Sequence, residues 1–139
     1  MADSVRNTMT ENPRTVSPDL PVAEAARLMR SEDVGSLPVL ENERVVGVVT
    51  DRDMVTRLVA EGKDAETTSV GGILSGDPLT VTPDQDLDEA LRLMRRHQVR
   101  RLPVVEDGRL VGVLAQPDVA RVASEEETGD VVQEISEPD

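Results

Sequence analysis

Apolar side chains recur twice along this chain at the spacing of a one-sided helix: Val22, Ala25, Ala26 and Met29, then Leu87, Ala90, Leu91 and Met94. Each set follows a proline turn, Ser17-Pro18-Asp19 in one case and Thr82-Pro83-Asp84 in the other. After each predicted helix come two short valine-rich runs joined by a polar turn. They are residues 37–40 and 45–49 around Glu41-Asn42-Glu43-Arg44, and 102–105 and 110–114 around Glu106-Asp107-Gly108. β-Branched runs on either side of a short polar turn predict a β-hairpin. A second helix is predicted from Asp51 to about Glu61, ended by Gly62. Short strands near Thr15-Val16 and Thr80-Val81 complete each half as β-α-β-β-α.

The halves are a duplication. Residues 5–55 match residues 70–120 without a gap, at an offset of 65, and 22 of the 51 pairs are identical. TVSPDLPVAEAARLMR returns as TVTPDQDLDEALRLMR, and SLPVLENERVVGVV returns as RLPVVEDGRLVGVL. Two copies of this length do not make a solenoid, so each must bury its apolar face against the other. The expected fold is α+β, of α/β type, with two β-α-β-β-α repeats packed sheet to sheet about a pseudo-twofold axis. A cleft is expected between the copies. The boundaries read as a first repeat over 3–62, a polar linker over 63–69, a second repeat over 70–123 and an acidic tail over 124–139.

Composition then removes whole classes of function. The 139 residues carry 28 acidic and 15 basic side chains, a net charge of −13, and no cysteine. Disulfides and thiolate metal sites are excluded. The single histidine, His97, leaves a metal centre or a nucleophilic triad almost nothing to work with. It is expected at a helix C-terminus, where partial positive charge is favourable. No catalytic residue, no metal and no required cofactor are expected, and the chain reads as a non-enzyme. The absence of Phe, Trp and Tyr removes a stacking platform for single-stranded nucleic acid. The net charge opposes nucleic acid and anionic membranes, despite the stretch RRHQVRR. With no apolar run long enough to span a bilayer and no apolar signal core in MADSVRNTM, a cytoplasmic location is expected. From Ser124 onward there are seven acids and no base, which reads as a disordered, solubilising end.

The segments TVSPD, LPV and GVVTDRD in the first copy, with TVTPD, LPV and GVLAQPD in the second, resemble the tandem cystathionine β-synthase (CBS) domain pair, or Bateman module. TDRDMV followed by AEGKD is also similar to small bacterial CBS-pair proteins of the hypoxic-response type. The resemblance implies a regulatory module that binds an adenosine-containing ligand (AMP, ADP, ATP or S-adenosylmethionine) between the repeats. It also implies a homodimer acting on a separate, unidentified protein partner. The competing expectation is a ligand-free structural or stress-response dimer.

The residues at GVVTDRD fit either reading. Thr50 ends a strand and Asp53 falls in the first turn of the next helix, where an ionised carboxylate can accept from two ribose hydroxyls and the free amides suit phosphate. The same Thr-x-x-Asp spacing is also that of a capping box. In the second copy Ala115-Gln116-Pro117-Asp118 keeps the acid and loses the hydroxyl, so two unequal sites are expected. Arg100 and Arg101, where the first copy has Gly35 and Ser36, either meet phosphate or pair with surface acids. Gly35 either lets a ligand approach the backbone or only permits a turn. By resemblance, Leu79, Thr80 and Val99, with Arg14, Thr15 and Val34, enclose the base, and Val48 and Val113 belong to the same set. For any one of them core packing is the competing role.

Overall fold

The computed structural model describes residues 3–74 and 77–126, with side chains to Val122. The chain divides into two compact units, Arg14–Pro78 on one side and Met1–Pro13 with Leu79–Asp139 on the other. Among the described residues no helix is long and apolar enough to cross a membrane.

The unit Arg14–Pro78 holds helix α1 (Val22–Glu32), strands β1 (Ser36–Glu41) and β2 (Arg44–Thr50), and helix α2 (Asp51–Met54), which runs on into a π-helical turn over Val55–Val59. Of the predicted apolar face of α1, Val22, Ala25 and Met29 are nearly inaccessible, whereas Ala26 is exposed. They pack with Leu37, Val39 and Val49 of the β1–β2 hairpin. Gly62, at φ 71, turns the chain away after the helix. The 63–69 segment does more than connect. Its Thr68 and Ala65 carbonyls accept from the Val22 and Ala23 amides, both at 2.9 Å, and so satisfy the first donors of α1.

The other unit repeats this plan with helix α3 (Leu87–His97), strands β3 (Arg101–Glu106) and β4 (Arg109–Ala115), and helix α4 (Gln116–Glu126). Leu87, Ala90, Leu91 and Met94 face a core with Leu102, Val104 and Leu114. The acidic 124–139 stretch begins inside α4, and residues 127–139 lie outside the described residues. The correspondence extends to single hydrogen bonds. The Leu87 amide donates to Asp3 O at 2.7 Å, 65 residues before the Val22–Thr68 bond has its equivalent acceptor.

The packing units are displaced from the sequence repeats. The short helical turn Val5–Asn7 begins the first repeat, yet Val5 is fully buried in the core of the second. Its counterpart Val70, with Ile73, is buried in the core of the first. Arg6 closes the N-terminal junction by pairing with Asp84 at 3.3 Å and Glu106 at 3.4 Å. The hydrogen bond that Arg6 donates to Asp84 raises its pKa, as the one that Arg27 donates to Glu66 does for Arg27.

The short strands expected near Thr15-Val16 and Thr80-Val81 are single parallel bridges, Val16 to Val39 and Val81 to Val104. Two residues beyond each lies a proline, Pro18 or Pro83, which has no N–H to continue the ladder. Where the bridge is made, β1 and β3 each carry a bulge, at Val39/Leu40 and at Val104/Val105.

Candidate functional site

Each unit has one junction where a strand runs directly into a helix. In the first, β2 ends at Thr50 and α2 begins at Asp51, whose amide donates to Gly35 O at 2.9 Å. That bond draws Val34, Gly35 and Ser36 up to the junction, and Ser36 stands opposite Thr50 in the hairpin register. Four of the expected site residues, Gly35, Ser36, Thr50 and Asp53, are thereby brought together. In the second unit the Gln116 amide donates to Arg100 O at 2.8 Å and Arg101 pairs with Ala115, which gathers Val99, Arg100 and Arg101 at the equivalent place.

Thr50 and Asp53 form the capping box that their spacing allowed. The Asp53 amide donates to Thr50 Oγ1 at 3.0 Å, and the Thr50 amide donates to Asp53 Oδ2 at 3.0 Å. Asp53 is 8% exposed, and its Oδ1 lies 3.8 Å from Arg57 Nε. The Thr50 hydroxyl accepts in this bond, which leaves its own proton to donate. In the second unit Asp118 is more open and lies 3.8 Å from Arg121.

The enclosing residues are more dispersed in role. Val34 and Leu79 each pack against the core of their own unit, as Val99 does. Thr15, Thr80 and Val48 are half-buried, and Val113 is nearly buried. Arg14 is exposed and pairs with Glu32 at 3.4 Å. Arg100 and Arg101 are exposed and have no ion-pair partner among the described residues, so the pairing with surface acids considered for them is not made there.

Asp51 was not singled out from the sequence. Its Oδ2 lies 3.0 Å from the point a Cβ on Gly35 would occupy, so it stands directly at the junction. The signal was the run Asp51-Arg52-Asp53, two acids in one helical turn. The first junction is therefore acidic, with Asp51 and Asp53, while the second presents Arg100 and Arg101 beside a neutral Gln116.

The model of the CBS domain family matches residues 4–60 and again 70–125. The chain belongs to that family, as a tandem pair. The CBS domain-containing protein YhcV of Bacillus subtilis is 40% identical over 134 residues, covering 96% of this chain and 95% of that protein. A crystal structure of Hypoxic Response Protein I with two coordinated zinc ions aligns with a TM-score of 0.79 at 34% identity, over 86% of this chain and 98% of that one. The crystal structure of CBSX2 in complex with AMP aligns with a TM-score of 0.75 at 32% identity, over 88% and 96%. Zinc does not fit the residues here: the chain has no cysteine, and no three His, Asp or Glu side chains gather as potential ligands among the described residues.

Proposed function

We propose that the chain is a non-enzymatic regulatory module whose signal is an adenosine-containing ligand of the AMP, ADP, ATP or S-adenosylmethionine class. The observation that carries this reading is its similarity, over nearly the whole repeat pair, to CBSX2, which was crystallised with AMP. The junctions supply matching chemistry. Thr50 retains a hydroxyl proton to donate, and Arg100 and Arg101 offer exposed guanidinium groups for phosphate. Exposed guanidinium groups suit phosphate, and an ionised carboxylate suits ribose hydroxyls. The ligand regulates by binding one state of the module more tightly than another, with a homodimer and a separate protein as the responding elements.

The test is thermal unfolding with AMP, ADP, ATP, NAD and S-adenosylmethionine in turn. A ligand at 100 times its Kd adds about 2.7 kcal/mol, several degrees for a chain of this size. Arg101→Gln is expected to weaken phosphorylated ligands far more than adenosine. If no compound shifts the transition at any salt concentration, the adenosine reading falls and the ligand-free dimer takes its place.

A further inference from the structure

One interface is made twice in this chain. In each repeat a leading segment packs away from its own repeat: residues 3–10 lie in the unit of α3, β3 and β4, and residues 68–74 in the unit of α1, β1 and β2. The two contacts agree residue by residue at the offset of 65. Val5 and Val70 are fully buried. The Val5 and Arg6 amides donate to Gln85 O and Pro83 O at 3.0 and 2.9 Å. The Val70 and Gly71 amides donate likewise to Leu20 O and Pro18 O at 2.8 and 2.9 Å. Met9 lies over Gly112 and Leu74 over Gly47, at positions that a Cβ would crowd. Each unit therefore presents a receiving surface for the leading segment of the other repeat, and the fit does not specify which copy of the chain supplies that segment.

The hinge decides that. Residues 3–10 reach the body of their own repeat through Glu11, Asn12 and Pro13, and Asn12 stands at φ 54. A residue before proline is driven to extended backbone, and a side chain in the left-handed region is strained. Extending the hinge relieves both effects and carries the segment away from its place. A unit without its segment uncovers the core around Val5 and orphans the Leu87 and Val113 amides, which bond to Asp3 O and Thr10 O. The same sequence from a second copy restores every one of these contacts. Exchange of identical elements is a low-cost route to a dimer, and short hinges under strain favour it.

We propose that residues 3–10 exchange between two copies of this chain, each segment docking on the α3–β3–β4 unit of the other copy. The exchanged pair stands without the ligand proposed above. A tethered segment competes from an effective concentration in the millimolar range, so the exchanged form grows as the protein approaches about 1 mM.

The test exploits the absence of cysteine. Ser4 and Asp86 form an antiparallel bridge flanked by the Val5–Gln85 and Leu87–Asp3 bonds. Such a pair has Cα atoms about 4.5 Å apart, within disulfide reach. The full chain carrying Ser4→Cys and Asp86→Cys is made in light and heavy-nitrogen forms, which are mixed, unfolded, refolded together and oxidised, and the linked peptides are weighed. At about 1 mM at least about a tenth of the links are expected to join a light chain to a heavy one, and almost none at about 1 µM. Asn12→Gly, which removes the hinge strain, is expected to lower the mixed fraction at least about threefold. Thr10→Cys with Val113→Cys, at the second bridge of the segment, gives the same reading should the first pair fail to fold. Links within single chains only, at about 1 mM, would overturn the proposal. Mixed links that are equally abundant at both concentrations overturn it too, because they mark random oxidation, and a mixed fraction indifferent to Asn12→Gly removes the hinge as its cause.

Discussion

Thr50 and Asp53 hold each other across a single helical turn, each accepting the other's amide at 3.0 Å. Losing one such cap to alanine costs about 1 kcal/mol. Thr50→Ala and Asp53→Ala are each expected to lower stability in denaturant by that amount, while Thr50→Ser leaves it almost unchanged. The double variant should lose less than the two losses added, because a helical turn already frayed by the loss of one bond has less to lose with the second. Strictly additive losses would mean the two bonds act separately. Ligand experiments inherit this coupling: Asp53→Ala alters the fold and the binding group together, so a binding defect is interpretable only beside a stability measurement.

The coupling also marks how far the sequence could be read. Met29 and Met94, the hairpins and Gly62 follow from period and turn chemistry, which are local properties of a chain. The destination of Val5 and Val70 is not local: a repeat boundary says where the duplicated unit starts, not which core receives its first turn. The capping of α1 by Thr68 and Ala65 was invisible because carbonyl acceptors leave no side-chain signature. The strands at Val16 and Val81 were overread, although Pro18 and Pro83 already carried the reason they stop. At the site, spacing admitted both roles of Thr50 and Asp53, and only geometry showed the cap made. Asp51 was missed because its position beside Gly35 depends on a backbone bond between residues 16 apart.

Thr8 is 8% exposed, and its Oγ1 has no hydrogen-bond partner among the described residues. The equivalent residue 65 positions on is Ile73, which is fully buried. An unpaired buried hydroxyl costs about 1–3 kcal/mol, and valine has nearly the same shape without it. Thr8→Val is expected to raise stability by about 1 kcal/mol, seen as a transition a few degrees higher. A lower transition temperature would show that the hydroxyl is satisfied after all.

Gly47 and Gly112 occupy the same position in the two repeats, but their surroundings differ in stiffness. A Cβ on Gly112 would stand 2.8 Å from Met9 Sδ and 2.9 Å from Thr10 O. Thr10 cannot retreat, because its amide and carbonyl both bond to Val113, at 2.8 and 2.9 Å. The three atoms nearest a Cβ on Gly47 all belong to the Leu74 side chain, the first at 2.9 Å, and a side chain can turn aside. Gly112→Ala is therefore expected to cost about 2–3 kcal/mol and Gly47→Ala less than about 1. Equal losses in denaturant titrations would contradict the distinction.

Helices α1 and α3 end alike, with Asp33 at φ 56 and Gln98 at φ 53, both in the left-handed region. The next amide reaches back in each case, Val34 to Met29 O at 3.0 Å and Val99 to Met94 O at 3.1 Å. A side chain held there costs about 1–2 kcal/mol, less for Asp, whose short polar group can bond to its own backbone. Glycine removes that strain but gives back about 0.5–1 kcal/mol through its freedom in the unfolded chain. Gln98→Gly is therefore expected to gain up to about 1 kcal/mol, with Asp33→Gly close to neutral. Thermal unfolding of the two variants side by side decides the matter. If Gln98→Gly destabilises while Asp33→Gly does not, the glutamine side chain holds the turn, and backbone strain is not what limits stability at the end of α3.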